Sequence, residues 1–420
     1  MSASEVSRRI LLLTPQPPYP PHQGTAIRNL NILIQIARHH AVDLVTFLPP
    51  GEELPPSSPL YNLCEAVVTA PMPVRDLAKR LKDTLTSPWP DMALRLDTPE
   101  MWRELQRLCQ DRRYDVVQIE GIEMAAYGMA AASAPLLPWS RAFRPLSPRP
   151  RIVFDDHNAE YVLQQRACVT DLRLPKRWPA AAYSLVQWLK LRRYERLICE
   201  RSDVVIAVSE VDAQAIRRLA PGVEPVVIPN GVDLEAYAPT AVTPEPLRQP
   251  ALVFTGKMDF RPNVDAALWF ANVLDRVRQV VPDAHFYIVG QKPHPRLQRL
   301  NQHPGITITG WVPDTRTYIA AAAVYVVPLR IGGGTRLKLL EAMALERAIV
   351  TTRLGAEGFS VTDGQEVRLA DTVDAFAEAV IELIRDPERR RQLGLRARRF
   401  VEENYGWDRI IPRMERLYAS

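Results

Sequence analysis

Short apolar runs alternate with longer stretches of helical spacing from one end of the chain to the other, and no other feature constrains the fold as much. A strand followed by a helix that crosses back over the sheet returns parallel to its predecessor, so repeated alternation builds βαβ units around parallel sheets. Strand candidates in the first half are residues 9–14, 42–48, 66–70, 115–120, 151–155, 204–209 and 226–228; in the second they are 251–256, 285–290, 306–309, 325–329, 348–352 and 366–369. Helical spacing covers 25–39, 263–281, 314–322, 335–345 and 372–385, and a charged helical stretch occupies 387–417. The expected fold class is α/β. At 420 residues the chain is long for one domain and comfortable as two, each with its own core. Pro239, Pro244, Pro246 and Pro250 interrupt any regular pattern. They place a linker over 233–250, between a first domain at 1–232 and a second at 251–400, with a terminal helix at 401–420 expected to pack back on the first. The proline-rich stretch 133–150 reads as an exposed insertion.

Hydrophobic residues at 47% and charged residues at 24% exclude a disordered or fibrous chain. The net charge of +5 is too small a surplus to imply a nucleic-acid partner. Cys64, Cys109, Cys168 and Cys199 stand far apart with no CxxC pair, so no zinc site or disulfide framework is written here, and a reducing cytoplasm is expected. Arg8 and Arg9 precede an apolar run, 10–13, that is too short for a secretion signal. No run approaches about 18 apolar residues, so membrane contact would be peripheral. The stretch 178–201 sets Leu185, Trp188, Leu189 and Leu197 among Lys190, Arg192, Arg193 and Arg196. It reads either as a basic amphipathic surface for an anionic membrane or as ordinary helix packing.

The most informative segment is Pro328-Leu-Arg-Ile-Gly-Gly-Gly-Thr-Arg-Leu-Lys-Leu-Leu-Glu341, a strand end, three glycines and then a helix. Gly332, Gly333 and Gly334 let the backbone approach a ligand closely, and the free N–H groups that open the helix at Thr335 favour an anion such as phosphate. Lys338 and Glu341 share one helical face, and Leu337, Leu340 and Ala344 form the opposite, buried stripe. Glu341 lies roughly 9 Å along the helix from Thr335, a sensible offset between a diphosphate and the ribose that carries it. The other reading is a plain glycine turn with a Lys338/Glu341 surface pair. The GxxxxGK[ST] spacing of an ATPase loop is absent.

This segment resembles the donor-binding helix of the family-four retaining glycosyltransferases, and the likeness extends to Ile228-Pro-Asn-Gly-Val-Asp233, Val253-Phe-Thr-Gly-Lys257, Ile288-Val-Gly290, Gly310-Trp-Val312 and Gly355-Ala-Glu-Gly358. The resemblance implies a GT-B fold of two Rossmann-like domains facing across a cleft, with the nucleoside-diphosphate sugar held mainly by the second. It implies that Glu341 binds the donor ribose and that Lys257, beside Gly256, meets the diphosphate, with Arg261 or Lys338 as a second cationic contact. One departure stands out: many members carry a further Glu at the position that is Gly333 here, so the sugar is left unspecified.

In the first domain, residues 151–155 lead into Asp156-His157-Asn158, at the edge where an open parallel sheet presents its ligands. His157 reads either as a group that works beside the donor sugar, as the resemblance implies, or as a structural histidine next to an Asn158 helix cap. Gly24, opening the helix 25–39, brings backbone N–H groups toward the same phosphates, and His22 nearby reads as an acceptor contact or an exposed loop residue. Asp155 and Asp156 lack a DxD spacing, and no metal or other cofactor is expected. The activity implied is metal-independent sugar transfer with retention to a glycan or lipid-linked acceptor, as in polysaccharide assembly. A catalytically inactive nucleotide-sugar-binding protein and a GT-B sugar-nucleotide epimerase remain as alternatives.

Overall fold

The computed structural model describes residues 7–21, 24–132, 135–138, 140, 143–172, 175–332 and 336–419. The chain divides into two compact units, Met1–Pro229 with Ile411–Ser420, and Asn230–Ile410. Each is an α/β unit built on one parallel sheet.

The strands of the first unit are β1 (Arg9–Thr14), β2 (Ala41–Leu48), β3 (Ala66–Pro71), β4 (Val116–Glu120), β5 (Arg151–Asp156), β6 (Val204–Ala207) and β7 (Val226–Val227). They pair in the order β3-β2-β1-β4-β5-β6-β7, with β1 in parallel register to both β2 and β4. Ile10, Leu11, Leu12 and Leu13 are all fully buried, as a strand covered on both faces requires. Strand order reverses between β1 and β4, so the loops after Thr14 and Glu120 diverge there and leave a crevice.

The second unit repeats the plan with β8 (Ala251–Thr255), β9 (His285–Val289), β10 (Ile306–Gly310), β11 (Val324–Val327), β12 (Ile349–Thr351) and β13 (Arg368–Leu369), in the order β10-β9-β8-β11-β12-β13. Its switch point lies between β8 and β11. Helix Arg261–Val280 covers this sheet with Leu274, Phe270 and Val273 buried. Helix ends follow local chemistry: Asp314 accepts from Arg316 N, Thr372 from Ala375 N and Asp386 from Arg389 N.

Several boundaries differ from the sequence reading. The helix expected over 335–345 is described as Leu337–Ala344, and Thr335 lies outside the described residues. The terminal stretch is two helices, Pro387–Asn404 and Trp407–Ala419, separated at Tyr405 and Gly406. The second ends in the first unit, where Glu415 meets His39 at 2.7 Å and Arg413 Nη2 donates to Val227 O at 2.9 Å. The stretch 133–150 is not simply an exposed insertion, because Leu136, Leu137 and Leu146 are buried in the first unit's core. A proline-rich segment still delivers apolar side chains to a core.

Among the described residues, no helix is long and apolar enough to cross a membrane. All four cysteines are free and buried.

Candidate active site

In the first unit, the ends of β4 and β5 bring together Glu120, Asp155 and His157. His157 Nε2 lies 2.8 Å from Glu120 Oε2, with Glu120 fully buried and the histidine nearly so. Gln118 Nε2 donates to the other Glu120 oxygen at 2.7 Å. Asn29, with its amide oriented as this network requires, donates to Glu120 Oε2 at 2.9 Å. The carboxylate therefore fixes the imidazole and leaves His157 Nδ1 for another partner. Gly121 has φ +84°, and a side chain there would stand 3.0 Å from Glu123 Oε2 and 3.6 Å from His157 Nδ1. A glycine is required because the turn is left-handed and tightly enclosed.

Asp155 is buried with Arg28, whose Nε and Nη2 reach its Oδ2 at 3.0 and 2.7 Å. Arg28 also donates to Ile228 O and Pro229 O, both at 3.1 Å, which ties the exit of β7 to β5. Burial raises the Asp155 pKa to about 6, against the opposing pull of Arg28. Ligand atoms of Glu120, Asp155 and His157 lie within 4.8 Å of one another, a spacing that suits a metal ion. The Arg28 guanidinium already supplies a positive charge to Asp155 Oδ2.

Asn158 does not cap the following helix, which corrects that reading of the motif. The N–H groups of Glu160 and Tyr161, opening helix Glu160–Leu172, donate instead to the two carboxylate oxygens of Glu195 at 3.0 and 2.8 Å. Asp156 is buried near Glu195, and burial first, then this neighbour, pushes the Asp156 carboxyl well above its usual range. Burial likewise raises Glu195 to about 8. Two buried carboxyls close together favour the protonated fold. The stabilisation is complete below a pH of about 4, where the unfolded groups also bind protons, and is lost as pH rises toward 8. Asp156→Asn should therefore flatten the fall of melting temperature between pH 5 and 8; parallel wild-type and variant profiles would refute the raised Asp156 carboxyl.

These groups border a cavity of ≈ 520 Å³ lined by Thr25, Arg95, Gly121, Glu123, His157 and Glu160, among others. Arg95 pairs with Glu123. Gly24 is the first residue of helix Gly24–Ile36, next to the lining residue Thr25. Residues 22 and 23 lie outside the described residues.

In the second unit, the ends of β8 and β11 gather most of the other predicted positions. Gly256 follows β8 with φ +153°, and a side chain there would meet Asn263 Nδ2 at 2.7 Å and Lys338 Nζ at 2.8 Å. Lys338 is half-buried and donates to Thr255 O at 2.6 Å and Asn263 Oδ1 at 3.0 Å, over the Phe254 ring at 4.2 Å. Burial, then the positive charge of Arg336, lowers its pKa to about 7. Lys338 and Glu341 are not a simple surface pair, because each finds its hydrogen bonds elsewhere. Glu341 Oε1 accepts from the Tyr237 hydroxyl at 3.0 Å, and burial raises the carboxyl above its ordinary range.

Lys257 is exposed, 3.7 Å from Asp259, and free to turn toward a ligand. Arg261 opens helix Arg261–Val280. Gly332 has φ +107° and stands over the start of that helix, where a side chain would lie 3.1 Å from Pro262. Gly333, Gly334 and Thr335 lie outside the described residues. Thus Gly256, Lys257, Arg261, Gly332, Lys338 and Glu341 lie around one switch point, and Gly24 and His157 around the other. Sequence reasoning missed Arg28, Glu120, Asn263 and Tyr237, none of which belongs to a glycine-rich or charged motif.

Comparison with known proteins gives concordant results for both units. A family model described as Glycosyltransferase Family 4 matches residues 22–236, and one described as Glycosyl transferases group 1 matches 249–386. The chain is 26% identical to the alpha-maltose-1-phosphate synthase of Mycolicibacterium smegmatis, over 57% of this chain and 67% of that protein. It is 30% identical to the phosphatidyl-myo-inositol mannosyltransferase of the same organism, over 55% of this chain and 59% of that one. A GDP-mannose-dependent phosphatidylinositol monomannoside mannosyltransferase is matched at 28% identity, over 46% of this chain and 56% of its own length. The chain thus spans little more than half the length of two of these three relatives. In fold it is similar to sucrose-phosphate synthase from Thermosynechococcus elongatus, with a TM-score of 0.70 at 19% identity, covering 98% of both chains. The Anabaena HepE structure with UDP and glucose follows at a TM-score of 0.65 and 14% identity, covering 98% of this chain and 99% of that one. The α/β architecture is that of the GT-B fold.

Proposed function

The chain belongs to Glycosyltransferase Family 4, and from that premise we propose that it moves a sugar, with retention and without a metal, from a nucleoside-diphosphate sugar to a glycan or lipid-linked hydroxyl. The observation that carries this reading is the second unit's switch point, where glycine-lined strand ends, Lys257 and a Tyr237-held Glu341 stand together. The backbone N–H of Gly332, with Lys257 and Arg261, suits the two phosphates, and Glu341 suits the ribose hydroxyls. Charge develops on the departing diphosphate as the glycosidic bond breaks, so cations there lower the barrier without a protein nucleophile. His157, fixed by Glu120, offers Nδ1 to the sugar or the acceptor.

Relatives named for GDP-mannose make GDP-mannose the first donor to try. In a thermal-shift screen against UDP, GDP, ADP and their sugar conjugates, one nucleotide at a hundred times its Kd should stabilise the fold by about 2.7 kcal/mol. No shift with any of them would sink the donor assignment. Binding without product in the presence of polyprenyl-phosphate or phosphatidylinositol acceptors would favour a non-catalytic binder, and an altered sugar nucleotide without transfer would favour an epimerase.

A lipid-linked acceptor fits a second observation. Helix Leu77–Thr86 seats its polar side, Arg80 against Tyr183 and Thr84 against Gln187, on helix Trp178–Arg201. Its own Leu77, Leu81 and Leu85 are left exposed, as are Leu185 and Leu189 of helix Trp178–Arg201. Apolar side chains facing water, with Lys79, Lys82, Arg192, Arg193 and Arg196 exposed on the same two helices, match an anionic lipid surface, one of the two readings open for residues 178–201. Flotation with phosphatidylglycerol vesicles should be lost in Leu77→Ser/Leu81→Ser and weakened by salt; salt-insensitive or unchanged flotation would count against it.

A further inference from the structure

We propose that Tyr237 is a positioning residue for nucleotide recognition, holding one oxygen of Glu341 so that the other is presented to a ribose hydroxyl; this rests on the reading of Glu341 as the ribose ligand. Glu341 is the only carboxylate on helix Leu337–Ala344, and a carboxylate free to rotate would lose order on binding. The 3.0 Å bond from the Tyr237 hydroxyl to Oε1 removes that freedom. Tyr237 itself is over-determined. Asp233 Oδ1 accepts from Glu235 N and Ala236 N at 3.0 and 2.9 Å, and Tyr237 N donates to Asp233 O at 3.0 Å, which winds the segment into a tight turn.

Two arginines then clamp the carbonyls of that turn. Arg316, held by Asp314, donates to Ala236 O at 2.9 Å and lies 5.9 Å from the Tyr237 ring centre. Arg398 donates to Tyr237 O at 3.1 Å, to Leu234 O at 3.2 Å and to Ala344 O at 2.6 Å. Ala344 closes the helix that carries Glu341, so one guanidinium fixes both the hydroxyl donor and the helix bearing its acceptor. A tyrosine whose only task was packing would need neither the hydroxyl nor this bracing.

The test compares GDP and UDP with their 2′,3′-dideoxy analogues by calorimetry on the full chain, using whichever nucleotide the wild type binds more tightly. Tyr237→Phe keeps the ring and should bind the ribonucleotide about tenfold more weakly, the scale of one hydrogen bond to a charged group. Its affinity for the dideoxy analogue should equal that of the wild type. Equal loss for both nucleotides, or no loss for either, would overturn the proposal. Glu341→Gln separates the two readings: if it binds the ribonucleotide as the wild type does, the ribose assignment itself has failed. If it binds weakly and Tyr237→Phe does not, only the positioning role has. Should Tyr237→Phe not fold, Arg398→Lys loosens the same turn and should give the same ribose-selective loss in smaller measure; a uniform loss there would equally overturn it.

Discussion

Replacing Arg28 with methionine is expected to lower the melting temperature of the first unit by about 10 °C. Both members of the Arg28–Asp155 pair are almost inaccessible, at 2% and 0% exposure. Methionine fills much of the volume but leaves a buried carboxylate with no counter-charge, an error that costs about 3–5 kcal/mol, and each kcal/mol is worth roughly 2–4 °C in a unit of this size. The variant also loses the bonds to Ile228 O and Pro229 O, so the exit of β7 should loosen. Calorimetry of wild type, Arg28→Met and the double variant Arg28→Met/Asp155→Asn decides the cause. If the uncompensated charge dominates, the double variant recovers a large part of the loss; equal melting points for the single and double variants would assign it to packing instead. Because Asp155 adjoins the Glu120–His157 pair, the single variant should also disturb turnover.

Lys257→Ala is expected to reduce kcat by about a hundredfold while nucleotide affinity falls far less. Ground-state diphosphate already carries charge, but more accumulates as the sugar leaves, and removing one group aimed at that charge typically costs a factor of 10²–10³. Lys257 is well placed for this, since its nearest carboxylate, Asp259, is 3.7 Å away and holds it only loosely. Lys338 is the contrasting case, because its ammonium group is already committed to Thr255 O and Asn263 Oδ1. Lys257→Arg should restore most of the rate. Full activity of Lys257→Ala in single-turnover release of nucleoside diphosphate would remove it from the reaction.

Much of the candidate donor site was legible in order along the chain, since glycines at strand ends and a helix opening directly after them are local patterns. Gly256, Gly290 and Gly332 all take positive φ, and at Gly290 a side chain would lie 1.8 Å from Gly256 O. The membrane-facing candidate was legible only in part: the basic helix Trp178–Arg201 was visible, whereas helix Leu77–Thr86 shows a conventional amphipathic pattern with its faces reversed. Periodicity marks an apolar face but not which way it points.

The sequence by itself determined that this is a two-part α/β chain with glycines at its strand ends, because strand and helix periods and glycine conformations are set by near neighbours. Only the tertiary structure decided the partners that make the site specific. Arg28 finds Asp155 across 127 positions and Tyr237 finds Glu341 across 104. Such pairs depend on which strand lies beside which in each sheet and on the turns that bring distant segments to one edge. A buried charge or hydroxyl must be matched wherever the fold places it, and no local pattern announces that place.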